Sequence, residues 1–275
     1  MNNTVIACVD GSPSTRPVCE YAAWAAGKLD VPLVLMHVLE KNDPPAVSDL
    51  TGTIGIDSRE QLTEELVRIE GERSRLMMAQ GKAVLTDCAA LLKQTGQPEA
   101  RLMQKHGALD EILAELSDIR LMVLGRRGSR NPVGSHLESV IRLQKRPVLI
   151  VPETFSTPSR VMFAYDGSEA SRENLMRLTV SPLLSGLACH LVMVNGEAST
   201  LQDAQAILQD AGIVTAAHLL KDKSVTGALC RYADENGIDL TVMGAYGHSQ
   251  LRRFFIGSHT TEMLSESRQA LLMLR

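Results

Sequence analysis

A glycine-rich string near the end of the chain has residue types and spacing suited to binding phosphate. Residues 244–258 read Gly-Ala-Tyr-Gly, then nine residues, then Gly-Ser, and they follow an apolar run at 238–243. Such glycines let backbone N–H groups close around an anion without a side chain in the way. The Gly-Ser pair also opens a predicted helix, whose N-terminus carries unpaired N–H donors and the positive end of the helix dipole. The residues predicted to hold phosphate are Gly244, Gly247, Gly257 and Ser258, followed by His259 and Thr260.

An earlier string is a shortened copy of this pattern. Gly125 and Gly128 follow an apolar run at 121–124, and only five residues separate Gly128 from Gly134-Ser135. The loop is four residues shorter than the nine-residue spacing of the later string, so it cannot follow the same path around a triphosphate. Its three arginines, at 126, 127 and 130, offer positive charge instead. For both strings, turn glycines that only reverse the chain remain the alternative interpretation.

The whole chain is an internal duplication. An apolar run followed by Asp-Gly-Ser ends at Asp10 and again at Asp166, 156 positions later, whereas Gly125 and Gly244 are 119 positions apart. The second copy therefore lacks a net 37 residues between these points, and the segment at 41–80 has no full counterpart. Each aspartate either contacts a ligand or caps the helix that follows.

Short apolar runs alternate with helical patterns in both copies, which predicts two α/β domains with parallel sheets buried on both faces. The expected boundaries are 1–152 and 158–275, with a Pro-containing linker at 152–158. Each domain is predicted to be a Rossmann-like, doubly wound, five-stranded sheet flanked by helices. The last strands, at 147–151 and 270–274, are expected to pair the domains as an intrachain pseudo-dimer.

Composition narrows the function classes. The net charge of −4, the pI near 6.0 and the 3% aromatic content give no reason to expect nucleic acid as a partner. The amino terminus has no basic region, and no apolar run is long enough to span a bilayer. Five scattered cysteines without a Cys-x-x-Cys pair indicate reduced thiols. A cytoplasmic protein without a membrane partner is expected.

No catalytic constellation is apparent in the sequence. It has no P-loop string, no Gly-x-Ser-x-Gly elbow and no carboxylate pair with clear metal spacing. His248 and His259 flank the glycine loop, where proton transfer is conceivable, but solvent-facing loop histidines explain them more simply. No metal ligand and no catalytic residue is assigned.

These motifs resemble the universal stress proteins, and the resemblance covers essentially the whole chain as a tandem of two family domains. It rests on the two Asp-Gly-Ser openings, on Leu35-Met-His-Val38 and on the string at 244–258. In the family's ATP-binding branch, the aspartate contacts ribose or adenine, the backbone after the second strand meets adenine, and the glycines take the phosphates. The resemblance implies Asp166 and the residues of the later string in the second domain, and Asp10, Val38, Gly125, Gly128, Gly134 and Ser135 in the first.

The leading hypothesis is a stress-response protein that binds ATP or another adenine nucleotide, accompanied by Mg²⁺, mainly in its second domain. A slow ATPase or autophosphorylating enzyme using the same site is the first alternative. The second is a scaffold or a binder of another small molecule, with relic glycines and a use for the 41–80 segment. A homodimer of the tandem chain is possible. Asn195 aligns with Val38 when Leu33 is matched with His190, which predicts a changed side chain near the adenine of the second domain.

Overall fold

The computed structural model describes residues 4–39, 56–97, 99–126, 135–244 and 258–275. At residues 56–63, 135, 136, 138, 258 and 259 the description covers the backbone only. The strands of the described part are β1 Thr4–Cys8, β2 Leu33–Leu39, β3 Ala100–His106, β4 Ile119–Gly125, β5 Val148–Val151, β6 Arg160–Ala164, β7 Ala188–Val194, β8 Thr215–Leu220, β9 Leu240–Gly244 and β10 Ala270–Leu274. The helices are α1 Thr15–Leu29, α2 Ile56–Gln94, α3 Leu109–Glu115, α4 Ser135–Leu143, α5 Glu169–Thr179, α6 Ala198–Asp210, α7 Val225–Glu235 and α8 Ser258–Glu266.

The strands form one ten-stranded sheet in the order β3-β2-β1-β4-β5-β10-β9-β6-β7-β8. Strands within each half are parallel, and the two halves meet where β5 and β10 pair antiparallel, with Leu149 opposite Leu272. The predicted intrachain pseudo-dimer through the last strands is therefore confirmed. Because the junction is antiparallel, the carboxyl ends of the first five strands lie at the edge opposite to those of the last five.

Helices cover both faces of this sheet. One apolar layer packs under α1, α2, α5 and α6, and the other packs under α3, α4, α7 and α8. The linker between the halves is packed as well, since the ring of Phe155 meets Tyr21 of α1 edge to face at 4.8 Å. The sheet is buried on both faces as predicted, except that β3 and β8, at its two ends, keep exposed positions.

Strand register locates the length differences between the halves. Val5 pairs with Leu33 and Val161 pairs with Cys189, so the offset of 156 persists through the second strand of each half. Lys105 of β3 corresponds to Leu220 of β8, an offset of only 115, so 41 residues are missing before the third strand of the second half. The offset is 119 at Gly125 and Gly244, which means that four residues are regained after the third strand.

The residues that the second half lacks correspond mainly to the long helix α2 of the first half. The C-terminal half of α2 packs closely on the sheet. Leu85, Cys88 and Leu92 are buried there. At Gly81, a Cβ would lie 2.5 Å from Nε2 of Gln104 and 2.7 Å from Nδ1 of His37. Glycine is therefore needed at position 81 because the helix lies so close to the sheet that a side chain would clash. Its backbone is helical, so backbone conformation is not the reason.

Substituting Gly81 with Ala should lower the free energy of unfolding by about 1–2 kcal/mol, because overpacking against the buried His37 ring outweighs the better helix propensity of Ala. Gly71→Ala in the same helix is the matched control, since a Cβ there meets no atom within 4 Å. The control should be stabilised by about 0.5–1 kcal/mol. Urea unfolding of both variants gives the comparison, and equal stabilisation of the two would contradict the close contact.

Candidate functional site

Both Asp-Gly-Ser segments form the same turn at the carboxyl end of the first strand of each half. Asp10 Oδ1 accepts a hydrogen bond from the Ser12 N–H at 3.0 Å, and Asp166 Oδ1 accepts one from the Ser168 N–H at 2.9 Å. The glycine between them has φ of 79° in both turns, a left-handed conformation that favours glycine. The helix-capping interpretation of the aspartates is wrong: the N-cap residues of α1 and α5 are Ser14 and Ser168.

The first glycine of each string ends the strand next to that turn. Gly125 ends β4, which neighbours β1, and Gly244 ends β9, which neighbours β6. In the first half, the sheet extends from β1 to β2 and β3 on one side and from β4 to β5 on the other. The second half extends in the same way from β6 and from β9. Ligands of open parallel sheets lie at such a switch point, beyond the carboxyl ends of the strands. The structure therefore brings Asp166 and Gly244 to one edge of the sheet, and Asp10 and Gly125 to the opposite edge.

Helix α8 begins at the end of the glycine string and is held firmly. It starts at Ser258, and its inner face buries Met263 and Leu264. The Thr226 hydroxyl of α7 donates a hydrogen bond to Glu262 at 2.8 Å. Thr260 is buried on α8. Gly247 and Gly257, like Gly128 and Gly134 of the first half, lie outside the described residues, as do the side chains of Ser135, Ser258 and His259.

Asn174 is a site residue that sequence reasoning missed. It lies on α5, its side chain is only 7% exposed, and its amide nitrogen is 3.9 Å from the Cβ position of Gly244. No described residue hydrogen-bonds this amide. The residue at the same distance from the first aspartate is Val18. Asn174 shares the buried face of α5 with Leu175 and Leu178, and this helical spacing was the available signal.

The predicted role of Asn195 is wrong. Register matches Val38 with Val194, because both lie five positions beyond the residues paired with Val5 and Val161. Asn195 follows the strand with φ of 59°. Its amide donates to the Asp222 carbonyl at 2.6 Å and accepts from the Asp222 N–H at 3.1 Å. The side chain thus ties the end of β7 to the end of β8, and the second strand ends in valine in both halves.

Arg126 is used by the junction between the halves. Its Nη2 donates a hydrogen bond to the Gln269 carbonyl at 2.7 Å, just before β10 begins. At the other edge, Arg275 Nη1 donates to the Arg142 carbonyl at 2.8 Å, near the end of α4. The expectation that Arg126 supplies charge to a first-half phosphate site is therefore not supported by its geometry, and Arg127 and Arg130 lie outside the described residues.

The two turns differ in the side chain beneath them. His37 of β2 is only 8% exposed, and its Nδ1 has no hydrogen-bond partner among the described residues. Burial lowers the pKa of His37, and the negative charge of Asp10 opposes that shift. Met193 occupies the equivalent position in the second half, where its methyl group lies 3.4 Å from the Cβ position of Gly167. The second-half site therefore has an apolar floor where the first has an imidazole.

Comparison with known proteins identifies the family. The model of the universal stress protein family matches residues 1–152 and 190–275. The chain belongs to the universal stress protein family. A universal stress protein of Synechocystis sp. is 34% identical over 288 residues, covering 98% of this chain and 99% of that one.

Solved structures agree in fold. A universal stress protein from Archaeoglobus fulgidus superposes with a TM-score of 0.75 at 17% identity, covering 100% of this chain and 99% of that one. A protein from Pseudomonas aeruginosa gives a TM-score of 0.67 at 15% identity, over 99% of this chain and 92% of that one. The tandem arrangement of the fold is thus found along whole chains of comparable length.

The described residues contain neither a membrane-spanning helix nor a metal-binding cluster. None of their helices has the length and apolar character required to cross a membrane. None of their His, Cys, Asp and Glu side chains gather in a group of three or more that could hold a metal ion.

Replacing Arg126 with Met should lower the free energy of unfolding by about 1–3 kcal/mol, because a hydrogen bond from a charged group between the halves is lost. Nucleotide affinity should not change, since the guanidinium is directed at the Gln269 carbonyl. Urea unfolding and calorimetric titration of the same preparation measure both quantities. A weaker nucleotide affinity at unchanged stability would indicate that Arg126 contacts the ligand instead.

The buried His37 should make stability depend on pH. The imidazole has its ordinary pKa near 6.5 in the unfolded chain and a lower pKa in the folded chain. Below about pH 6.5 the unfolded state therefore binds more protons, and the free energy of unfolding falls as the pH falls. His37→Met, which introduces the residue of the second half, should reduce this slope in urea unfolding between neutral pH and about pH 5. An unchanged slope would argue against a neutral buried imidazole.

Proposed function

We propose that this protein binds ATP or another adenine nucleotide as a regulatory ligand, at the edge formed by the ends of β6, β7 and β9. The observation that carries the proposal is the meeting of Asp166, Gly244 and the start of α8 at the switch point of the second half. The adenine and ribose would lie along the Asp166 turn and the backbone after Val194. The phosphates would lie in the 244–258 loop.

The phosphate end of the proposed site has two favourable features. Thirteen residues join Gly244 to Ser258, and the string contains glycines where a backbone cradle needs them. The loop leads directly into α8, whose N-terminal end carries the positive end of the helix dipole and attracts an anion. Because α8 is anchored by its buried face and by the Thr226–Glu262 hydrogen bond, this end of the helix is held in place.

The Asn174 amide gives independent support for a polar ligand. Asn174 is 7% exposed, and its amide nitrogen lies 3.9 Å from the Cβ position of Gly244, the first residue of the glycine string. A nucleotide bound at this edge would offer the amide a hydrogen-bond acceptor. Asn174 is therefore proposed as a residue that positions the loop and the ligand.

The first half lacks these features. Its loop is four residues shorter, and Val18 stands where the second half has Asn174. Arg126 donates its hydrogen bond to the other half. Because the two carboxyl edges face opposite directions, neither half can complete the site of the other. One nucleotide per chain is proposed.

Magnesium would arrive with the nucleotide rather than reside in the protein. Mg²⁺ prefers oxygen ligands and usually retains water while bridging phosphate oxygens. The Asp166 carboxylate is an oxygen donor at the proposed site, and it already accepts the Ser168 N–H. Its proposed task is to orient the ribose and adenine, while the ion would neutralise phosphate charge.

Calorimetric titration with Mg-ATP of nucleotide-stripped protein tests the proposal. We expect one site per chain. Asp166→Ala should weaken binding by about tenfold to a hundredfold, which corresponds to the loss of a charge-assisted hydrogen bond. Asp10→Ala is the matched control, because it alters the same turn in the other half, and it should leave affinity unchanged.

Two further variants locate the phosphate end. Gly257→Asp should abolish binding by placing a negative charge in the loop, and Asn174→Val, which copies the first half, should weaken binding. Two sites of equal affinity, or no binding confirmed by a second method, would overturn the proposal. Repeated release of ADP that disappears in Gly257→Asp would instead favour a slow ATPase.

A further inference from the structure

The N-terminal part of α2 extends beyond the folded body. From residue 64 to residue 80, every side chain is exposed except that of Met77, which is half-buried. This segment, here called the α2 overhang, is about 25 Å long at 1.5 Å per residue. Its C-terminal end touches β3, where Gln104 Nε2 donates a hydrogen bond to the Met78 carbonyl at 3.2 Å. The remainder packs against no described residue, and such a helix is marginal in water, because most helix stability comes from packing an apolar face. Gly71 lowers the helix propensity further.

The α2 overhang has an apolar seam with no described partner. Leu66, Ile69 and Leu76 are 39%, 48% and 71% exposed. With Arg73 they follow a spacing of three, four and three residues, which is the spacing of the a and d positions of a coiled coil. Large apolar side chains in such a row indicate a helix that pairs with another helix.

The distribution of charge along the overhang favours an antiparallel over a parallel partner helix. Residues 64–72 carry four glutamates and one arginine, whereas residues 73–82 carry two arginines, one lysine and no acidic residue. An antiparallel partner with the same sequence aligns each acidic segment with a basic one. A parallel partner would place Arg73 against its own copy in an apolar seam. Arg73 makes no salt bridge with another described residue of its chain.

We propose that two copies of this chain associate through an antiparallel coiled coil of their α2 overhangs. A pair centred on residue 71 places Leu66 opposite Leu76 of the second copy. It also places Arg73 opposite Ile69, within reach of Glu70 and Glu72 of the second copy. The seam is closed by self-complementary contacts, as a two-fold interface requires. Each overhang continues from the part of α2 that Leu85 and Leu92 fix on its own sheet, which positions it for pairing, and the pairing would bury its apolar seam.

Sedimentation equilibrium of the full chain tests the association. The wild type should form a dimer of the 29.9 kDa chain. Leu76→Glu should raise the dimer dissociation constant at least about tenfold, because two apolar contacts are lost from a symmetric seam. Val214→Glu is the control: Val214 is 91% exposed but lies away from α2, so the dimer should persist. Circular dichroism verifies that both variants remain folded.

A charge exchange tests the antiparallel register. Arg73→Glu and Glu70→Arg should each weaken self-association, because each places like charges across the seam. An equimolar mixture of the two variants should restore dimers. A wild type that is monomeric at all concentrations, a dimer unaffected by Leu76→Glu, or a mixture that fails to recover overturns the proposal. None of these results depends on nucleotide binding.

Discussion

The pairing of β5 with β10 is the constraint on which the rest of the structure depends. Both strands are buried along their whole length, and each ends the parallel sheet of its own half. A buried strand with an open edge would leave backbone N–H and C=O groups without partners, at a cost that apolar packing does not recover. Antiparallel pairing from Leu271–Ile150 to Met273–Val148 satisfies both edges at once. The result is a continuous sheet with an apolar layer on each face.

The direction of this pairing separates the two sites. Since the halves run in opposite senses, Asp10 and Asp166 lie at opposite edges, and neither site can use the loops of the other. Each site was therefore free to diverge within an unchanged scaffold. The Asp-Gly-Ser turn kept the same φ at its glycine in both halves. What differs is what surrounds that turn: Asn174 against Val18, and Met193 against His37.

The second divergence is the 41-residue excess before the third strand of the first half. Half of α2 is integrated into the core by Leu85 and Leu92, with Gly81 permitting the close approach, and the other half extends into solvent. An insertion at this connection does not disturb the sheet, because the strands before and after it keep their register. The duplication thus provides one half with a candidate ligand site and the other with a candidate pairing surface.

The sequence by itself determined the duplication, the alternation of strands and helices, the strands that join the halves, and the glycine strings at strand ends. These features are local or repeated patterns, so they can be recognised from adjacent residues and from comparison of the two copies. The tertiary structure alone decided the register, which moved Asn195 one residue away from the position aligned with Val38 and tied it to Asp222. It also decided the direction of Arg126 towards Gln269 and the burial of Asn174 beside Gly244. Such contacts join residues distant along the chain, and they follow from how the elements pack rather than from the residues that flank them.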